Sequence, residues 1–200
     1  LSLDPGYQRR VSARQYVGRF SGGSDLTFGS RYVFAKIERS QLVMRLRGNY
    51  IFSPTLSIEG YAEPFSAGGR YFGFGELERA GSRFLRTYGE APGTSITVDD
   101  RRYRVEDTEV PGSFTFGNPD FNSISFRSNL VLRWEWNPGS TLFLVWQQNR
   151  SDFCRAGSVA ECANGSVPGS LASVGSFADP FKVSGDNFVA VKVTYWIPVR

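Results

Sequence analysis

From Ile124 to Asn137 apolar and polar side chains alternate. Ile124, Phe126, Ser128, Leu130, Leu132, Trp134 and Trp136 hold the even positions, against Ser125, Arg127, Asn129, Val131, Arg133, Glu135 and Asn137. A period of two predicts a β-strand with one apolar face. Its 14 residues exceed the roughly five or six of an ordinary strand. They suit a tilted strand that crosses a bilayer with some overhang. Trp134 and Trp136, at one end of the apolar face, fall where an aromatic girdle sits in an outer-membrane barrel.

The same alternation runs through 41–52, where Leu42, Met44, Leu46, Gly48, Tyr50 and Phe52 oppose Val43, Arg45, Arg47, Asn49 and Ile51. It returns in 55–65, with Leu56, Ile58, Gly60 and Ala62 against Thr55, Ser57, Glu59, Tyr61 and Glu63, and in 187–198, where Val189, Val191, Val193, Tyr195 and Ile197 oppose Lys192 and Thr194. With the first strand taken as 122–137, segments 8–20, 27–37 and 141–150 complete a set of seven expected strands; in the last of these, apolar residues occupy both faces from Leu142 to Trp146. Single-chain bacterial barrels close with an even number, so an odd set implies a missed strand or further strands before Leu1. Ser53-Pro54 and Asn137-Pro138-Gly139-Ser140 predict tight turns, the second of type II. By contrast, 66–121 and 151–186 are long and rich in Gly, Ser, Pro and charge; they are expected as loops, the first with a hairpin around Asp99-Asp100. Up-and-down alternation puts both tight turns and the C-terminal end on one side, the periplasmic side of a barrel, and the long loops outside the cell.

The expected fold is thus all-β: residues 1–200 as one portion of an antiparallel transmembrane β-barrel, probed by its own composition. Gly 22, Pro 10, Phe 17 and Tyr 9 with a single Met disfavour helices. No run of eighteen apolar residues occurs, and residues 1–20 lack the apolar core of a signal peptide, so any crossing must be made by strands. The chain opens on Leu1 rather than Met, as a processed protein or a piece of a longer one does. A net charge of +4 is spread along the chain rather than gathered in a stripe, which argues against nucleic acid. Cys154 and Cys162 flank seven residues in a Gly/Ser/Ala-rich stretch, a spacing suited to a loop-closing disulfide in an oxidising compartment.

Candidate chemistry is sparse. His is absent, which removes Ser-His-Asp and Cys-His nucleophiles and most zinc sites. Glu59 and Glu63 share a strand face roughly 13 Å apart at about 3.3 Å per residue, wide for acid-base work. Asp99 and Asp100 point apart or occupy a turn. Phe114, Phe116 and Phe121 offer rings for stacking on sugars, but packing of a loop against its rim is the stronger expectation. We therefore expect no enzyme, no cofactor and no metal.

The stretches Asn118-Pro-Asp-Phe-Asn, Arg127-Ser-Asn-Leu-Val-Leu-Arg-Trp-Glu-Trp and Pro138-Gly-Ser-Thr-Leu-Phe-Leu-Val-Trp-Gln-Gln resemble the C-terminal part of the domain of unknown function 5916 family. Val191-Lys-Val-Thr-Tyr-Trp-Ile-Pro, Tyr50-Ile-Phe-Ser-Pro-Thr-Leu-Ser and Tyr61-Ala-Glu-Pro-Phe are similar to it as well. The resemblance implies a large protein of Gram-negative-type bacteria with an N-terminal carbohydrate-binding-like β-sandwich and a barrel, of which this chain is the final portion. It implies no reaction. The ending Pro198-Val199-Arg200 lacks the terminal aromatic of barrels, and the loop of Cys154 and Cys162 is no hallmark of the family.

Together these readings lead to a bacterial outer-membrane barrel portion acting as pore, uptake component or anchor. Arg45, Arg47, Glu59, Glu63, Arg127, Asn129, Arg133, Glu135 and Lys192 are expected to face the lumen, and Leu130, Leu132, Trp134, Trp136, Val189, Val191, Val193 and Tyr195 to face lipid. Partners are outer-membrane lipid and lipopolysaccharide, with carbohydrate reached through an upstream domain. The competing reading is a soluble β-sandwich, either a carbohydrate-binding module or a glycosidase fragment.

Overall fold

The computed structural model describes residues 1–99, 101–110 and 112–197. The chain is all-β and antiparallel. Strands β1 (Ser2–Ser21), β2 (Ser30–Ser53), β3 (Leu56–Leu77), β4 (Leu85–Thr87), β5 (Thr94–Asp99), β6 (Arg102–Asp107), β7 (Phe114–Gly117), β8 (Phe121–Asn137), β9 (Ser140–Arg155) and β10 (Gly185–Thr194) form two sheets. In the large one the order is β1-β2-β3-β8-β9-β10, with β4 added to the end of β3; the small one is β5-β6-β7. The large sheet is open, since β1 and β10 are its two edges.

Register explains how the alternation of single strands becomes two faces. Leu46 lies opposite Ala62, Gly60 opposite Leu130, Leu130 opposite Trp146 and Trp146 opposite Val189. Because directly paired residues project to the same side, these belong to one apolar face, which β1 extends with Leu3, Pro5 and Tyr7. On the opposite face Asp4 meets Arg45, Arg47 meets Tyr61, Tyr61 meets Asn129 and Glu63 meets Arg127. A one-residue slip anywhere would mix the faces, so the apolar pattern itself holds the register.

Two tight connections, Ser53 to Leu56 and Asn137 to Ser140, sit at the same end of the sheet, because Leu56 pairs with Trp134. Gly139 has φ +78°, the left-handed value that the third position of a type II turn requires. At the far end are three longer connections: 22–29, the insert 78–120 that contains β4 to β7, and 156–184.

Both large connections fold back onto the sheet, on opposite faces. The β5-β6-β7 unit packs on the polar face at the far end, where Val33, Ala35, Phe74, Tyr88, Val105 and Phe116 make a core joined by Phe20, Tyr71, Tyr103 and Phe114. Segment 156–184, with a 3-10 helix at Val174–Lys182, lies over the far end of the apolar face. There Ala172 donates its amide to Ser40 Oγ at 2.6 Å, Gly169 donates to Asn122 Oδ1 at 2.7 Å, and the rings of Phe181 and Phe126 are 4.6 Å apart.

These packings correct the expected strand boundaries. Segments 27–37 and 41–52 are one strand, β2. Glu38 to Gln41 break the apolar alternation without a turn because the side chains there are matched across strands: Glu38 binds Arg9 and Arg70, and Ser40 receives Ala172. The expected loop 66–121 begins only after Leu77, and 151–186 only after Arg155. Gly68 falls within the segment expected as a loop, yet there the absent side chain makes room for the Ser170 carbonyl of the overlying segment. Among the described residues six long strands stand where seven were expected; 8–20, 122–137, 141–150 and most of 187–198 lie within β1, β8, β9 and β10, while Pro198 to Arg200, Asp100 and Pro111 fall outside the described residues.

Candidate functional site

Near the tight turns both faces of the sheet are uncovered. On the polar face, Arg45 bridges strands by donating from Nε to Glu63 at 2.8 Å, and Asp4 lies 3.6 Å from its guanidinium. Tyr61 donates its hydroxyl to the same Glu63 carboxylate at 2.8 Å, and the Arg47 guanidinium lies over the Tyr61 ring at 5.5 Å. Arg133 pairs with Glu135 at 2.9 Å. A depression of about 470 Å³ runs between Arg47, Asn49, Glu59, Tyr61 and Asn129. By register, all nine residues expected to face a lumen project to this one side, Lys192 opposite Phe143 among them.

The opposite face is apolar and bare. Val189, Val191 and Val193 are 59–62 % exposed, as large a fraction as many charged surface residues, and Leu130, Leu144, Trp134, Trp136, Trp146 and Tyr195 are exposed as well. Leu132 is half-buried between Ile58 and Leu144. A soluble domain rarely leaves a contiguous apolar patch of this extent.

At the far end a buried ion cluster joins the insert to the sheet, and sequence reasoning did not find it. Arg31 on β2 is almost completely buried; it donates to Glu76 on β3 at 3.0 Å, to Asp107 on β6 at 3.1 Å and to the Val110 carbonyl at 2.7 Å. Arg86 on β4 adds a bond to Asp107 at 3.0 Å and one to Glu109 at 2.8 Å. Burial alone would raise the Asp107 carboxyl, but Arg86, the Val110 and Glu109 amides and Arg31 outweigh it and hold its pKa at about 2. Burial pushes the neighbouring Tyr88 hydroxyl well above its ordinary value. Asp120, at the junction of insert and sheet, is also raised by burial, although it accepts the Tyr71 amide at 2.6 Å. No local pattern marks Arg31, because its partners Glu76 and Asp107 are 45 and 76 residues away.

The remaining candidates resolve simply. Cys154 and Cys162 are bonded to one another. Phe114 and Phe116 pack between insert and sheet, and Phe121 stacks on Phe153 at 5.8 Å. Glu63 is engaged by Arg45 and Tyr61, while Asp99 ends β5. Among the described residues no three His, Cys, Asp or Glu side chains cluster as metal ligands, and no helix is long and apolar enough to cross a membrane. Comparison with family models, with curated proteins and with solved structures finds no match.

Proposed function

We propose that this chain is the membrane-spanning sheet of a bacterial outer-membrane β-barrel, a non-enzymatic pore, uptake component or anchor, with the resemblance to the family of unknown function extending to its architecture. One observation carries the reading: at the same height across β2, β3 and β8 one face is apolar while the other is polar and charged, and β1, β9 and β10 carry the bare apolar face on to both edges of the sheet. Lipid outside and water inside account for both faces at once. Strand length agrees, since the 24 residues of β2 extend about 80 Å at roughly 3.3 Å each, enough to cross a hydrocarbon layer of about 30 Å obliquely and project well beyond it. The disulfide is in keeping with a compartment outside the cytoplasm.

In lipid the unpaired edges of β1 and β10 would be costly, and eight strands is the smallest bacterial barrel. Additional strands that continue the apolar belt must therefore pair with those edges in the assembled barrel. A soluble sandwich would need a second layer over the apolar face, and segment 156–184 covers only its far end.

A nitroxide at Leu130 tests the reading. In a barrel it is open to oxygen and shielded from a polar relaxation agent. Equal access of both agents, or shielding from both, would exclude lipid contact.

A further inference from the structure

We infer that the β5-β6-β7 insert is a fixed internal cap, which narrows the mouth of the lumen and sets the size of solute that can reach its polar wall. The inference rests on the barrel reading, because only closure of the sheet turns the polar face inward. What the structure supplies is the side on which the insert lies. It packs on the face of Arg31, Val33 and Phe74, which by register is the face of Arg45, Arg47 and Asn129, and not on the apolar face. Once that face is turned inward, the insert stands on the inner side of the β1–β3 extension that rises beyond the start of β8 at Phe121, opposite Gly69, at the end remote from the tight turns.

Its attachment is that of a packed domain rather than a loop. Val33, Ala35 and Val105 have no exposed surface, and the Phe74 ring lies 4.6 Å from Tyr103 and 5.2 Å from Phe116. Arg31 and Asp107, from sheet and insert, are both removed from water and satisfied by one another and by Glu76, Arg86 and the Val110 carbonyl. Undocking the insert would part Arg31 from Asp107 and the Val110 carbonyl and return the apolar core between them to water, whereas deleting Asp107 alone leaves a buried arginine short of a partner. A second layer stands about 10 Å from the sheet it covers. The interior of a small barrel is no wider than its own side chains need, so such a layer obstructs a small barrel and constricts a larger one. Hydrophilic solutes of modest size would pass beside it, and bulky ones would not.

The test uses single cysteines in the full chain on intact cells, with the Cys154–Cys162 pair left oxidised. Asn129→Cys reports the polar face beneath the cap and Leu132→Cys the apolar face. Both are exposed to a small charged thiosulfonate and to a maleimide carrying a polymer of several kilodaltons. The expected result is that Asn129→Cys reacts with the small reagent and at least tenfold more slowly with the bulky one, and that adding Asp107→Ala raises the bulky rate at least tenfold. If Asp107→Ala does not reach the heat-modifiable folded form, Phe116→Ala, which leaves the charges paired, makes the same comparison. Equal bulky-reagent rates with and without the loosening substitution would overturn the cap. Reaction of Leu132→Cys with the small aqueous reagent as fast as Asn129→Cys would instead overturn the barrel reading beneath it.

Discussion

Asp107 is the residue whose electrostatics are most specific. With its pKa held at about 2 in the folded chain, against roughly 3.9 for a free carboxyl, its ionised form stabilises the docked insert by about 2 kcal/mol at neutral pH. The sign follows from the depressed value: the contribution is complete above pH ~4 and is lost as pH falls toward 2. Arg31, Arg86 and the Glu109 amide contact this carboxyl, Glu76 and the Glu109 side chain lie across the two arginines and Tyr88 beyond Glu76, and the arginines keep their charge throughout that interval. Hydrogen exchange in 94–107 should therefore accelerate as pH falls through this interval, after correction for intrinsic rates, while amides of β8 and β9 keep their protection. Asp107→Asn should bring the faster opening to neutral pH. Unchanged protection in that variant would mean that the aromatic core alone holds the insert. Gly139 is the second case. Its φ of +78° and the Trp196 side chain at 2.9 Å from a Cβ placed there make Gly139→Ala costly on two counts, by about 1–2 kcal/mol, read as a lower urea midpoint.

Among the strands, β8 separates the two faces most cleanly. Leu132→Arg places a charge on the apolar face and should cost about 2–4 kcal/mol near the bilayer midplane, falling toward the interface. We expect it to block the heat-modifiable folded form. Arg133→Gln and Asn129→Ser, one on either side of the same strand segment's lipid positions but pointing the other way, should fold normally and at most alter ion preference. Equal tolerance at 132 and 133 would remove the distinction between faces. The β8 pattern was legible because from Ile124 to Trp136 only Ser128 interrupts the apolar positions. In β2 the same rule failed between Ile37 and Gln41, since Glu38 and Ser40 sit on the apolar face but are satisfied by Arg9, Arg70 and Ala172. Alternation reports what a face is exposed to, and where a polar partner covers it the signal changes although the strand continues.

For the molecule as a whole, the arrangement has a direction: tight turns at one end, the insert and segment 156–184 at the other. In the proposed barrel the second end is outside the cell. Protease added to intact cells should cut in 156–184 first, because it lies on the outer face, and should reach β5 to β7 more slowly because they are packed within the mouth. Cleavage only after the outer membrane is opened would invert the orientation.

The single chain determined its all-β class, the polar and apolar sides of β8, β10 and the first half of β3, the two tight turns and the pairing of Cys154 with Cys162. All of these are local: a side chain's side of a strand follows from its parity, and a turn or a short loop from a few neighbouring residues. Tertiary structure alone decided that Arg31, Glu76, Arg86 and Asp107 share one buried cluster, that Gly68 is a strand residue under a neighbouring carbonyl rather than part of a long loop, and that the two long connections fold onto opposite faces. Those facts depend on pairs brought together from 21 to 132 residues apart, and no period within a strand records which distant segment will come to lie above it.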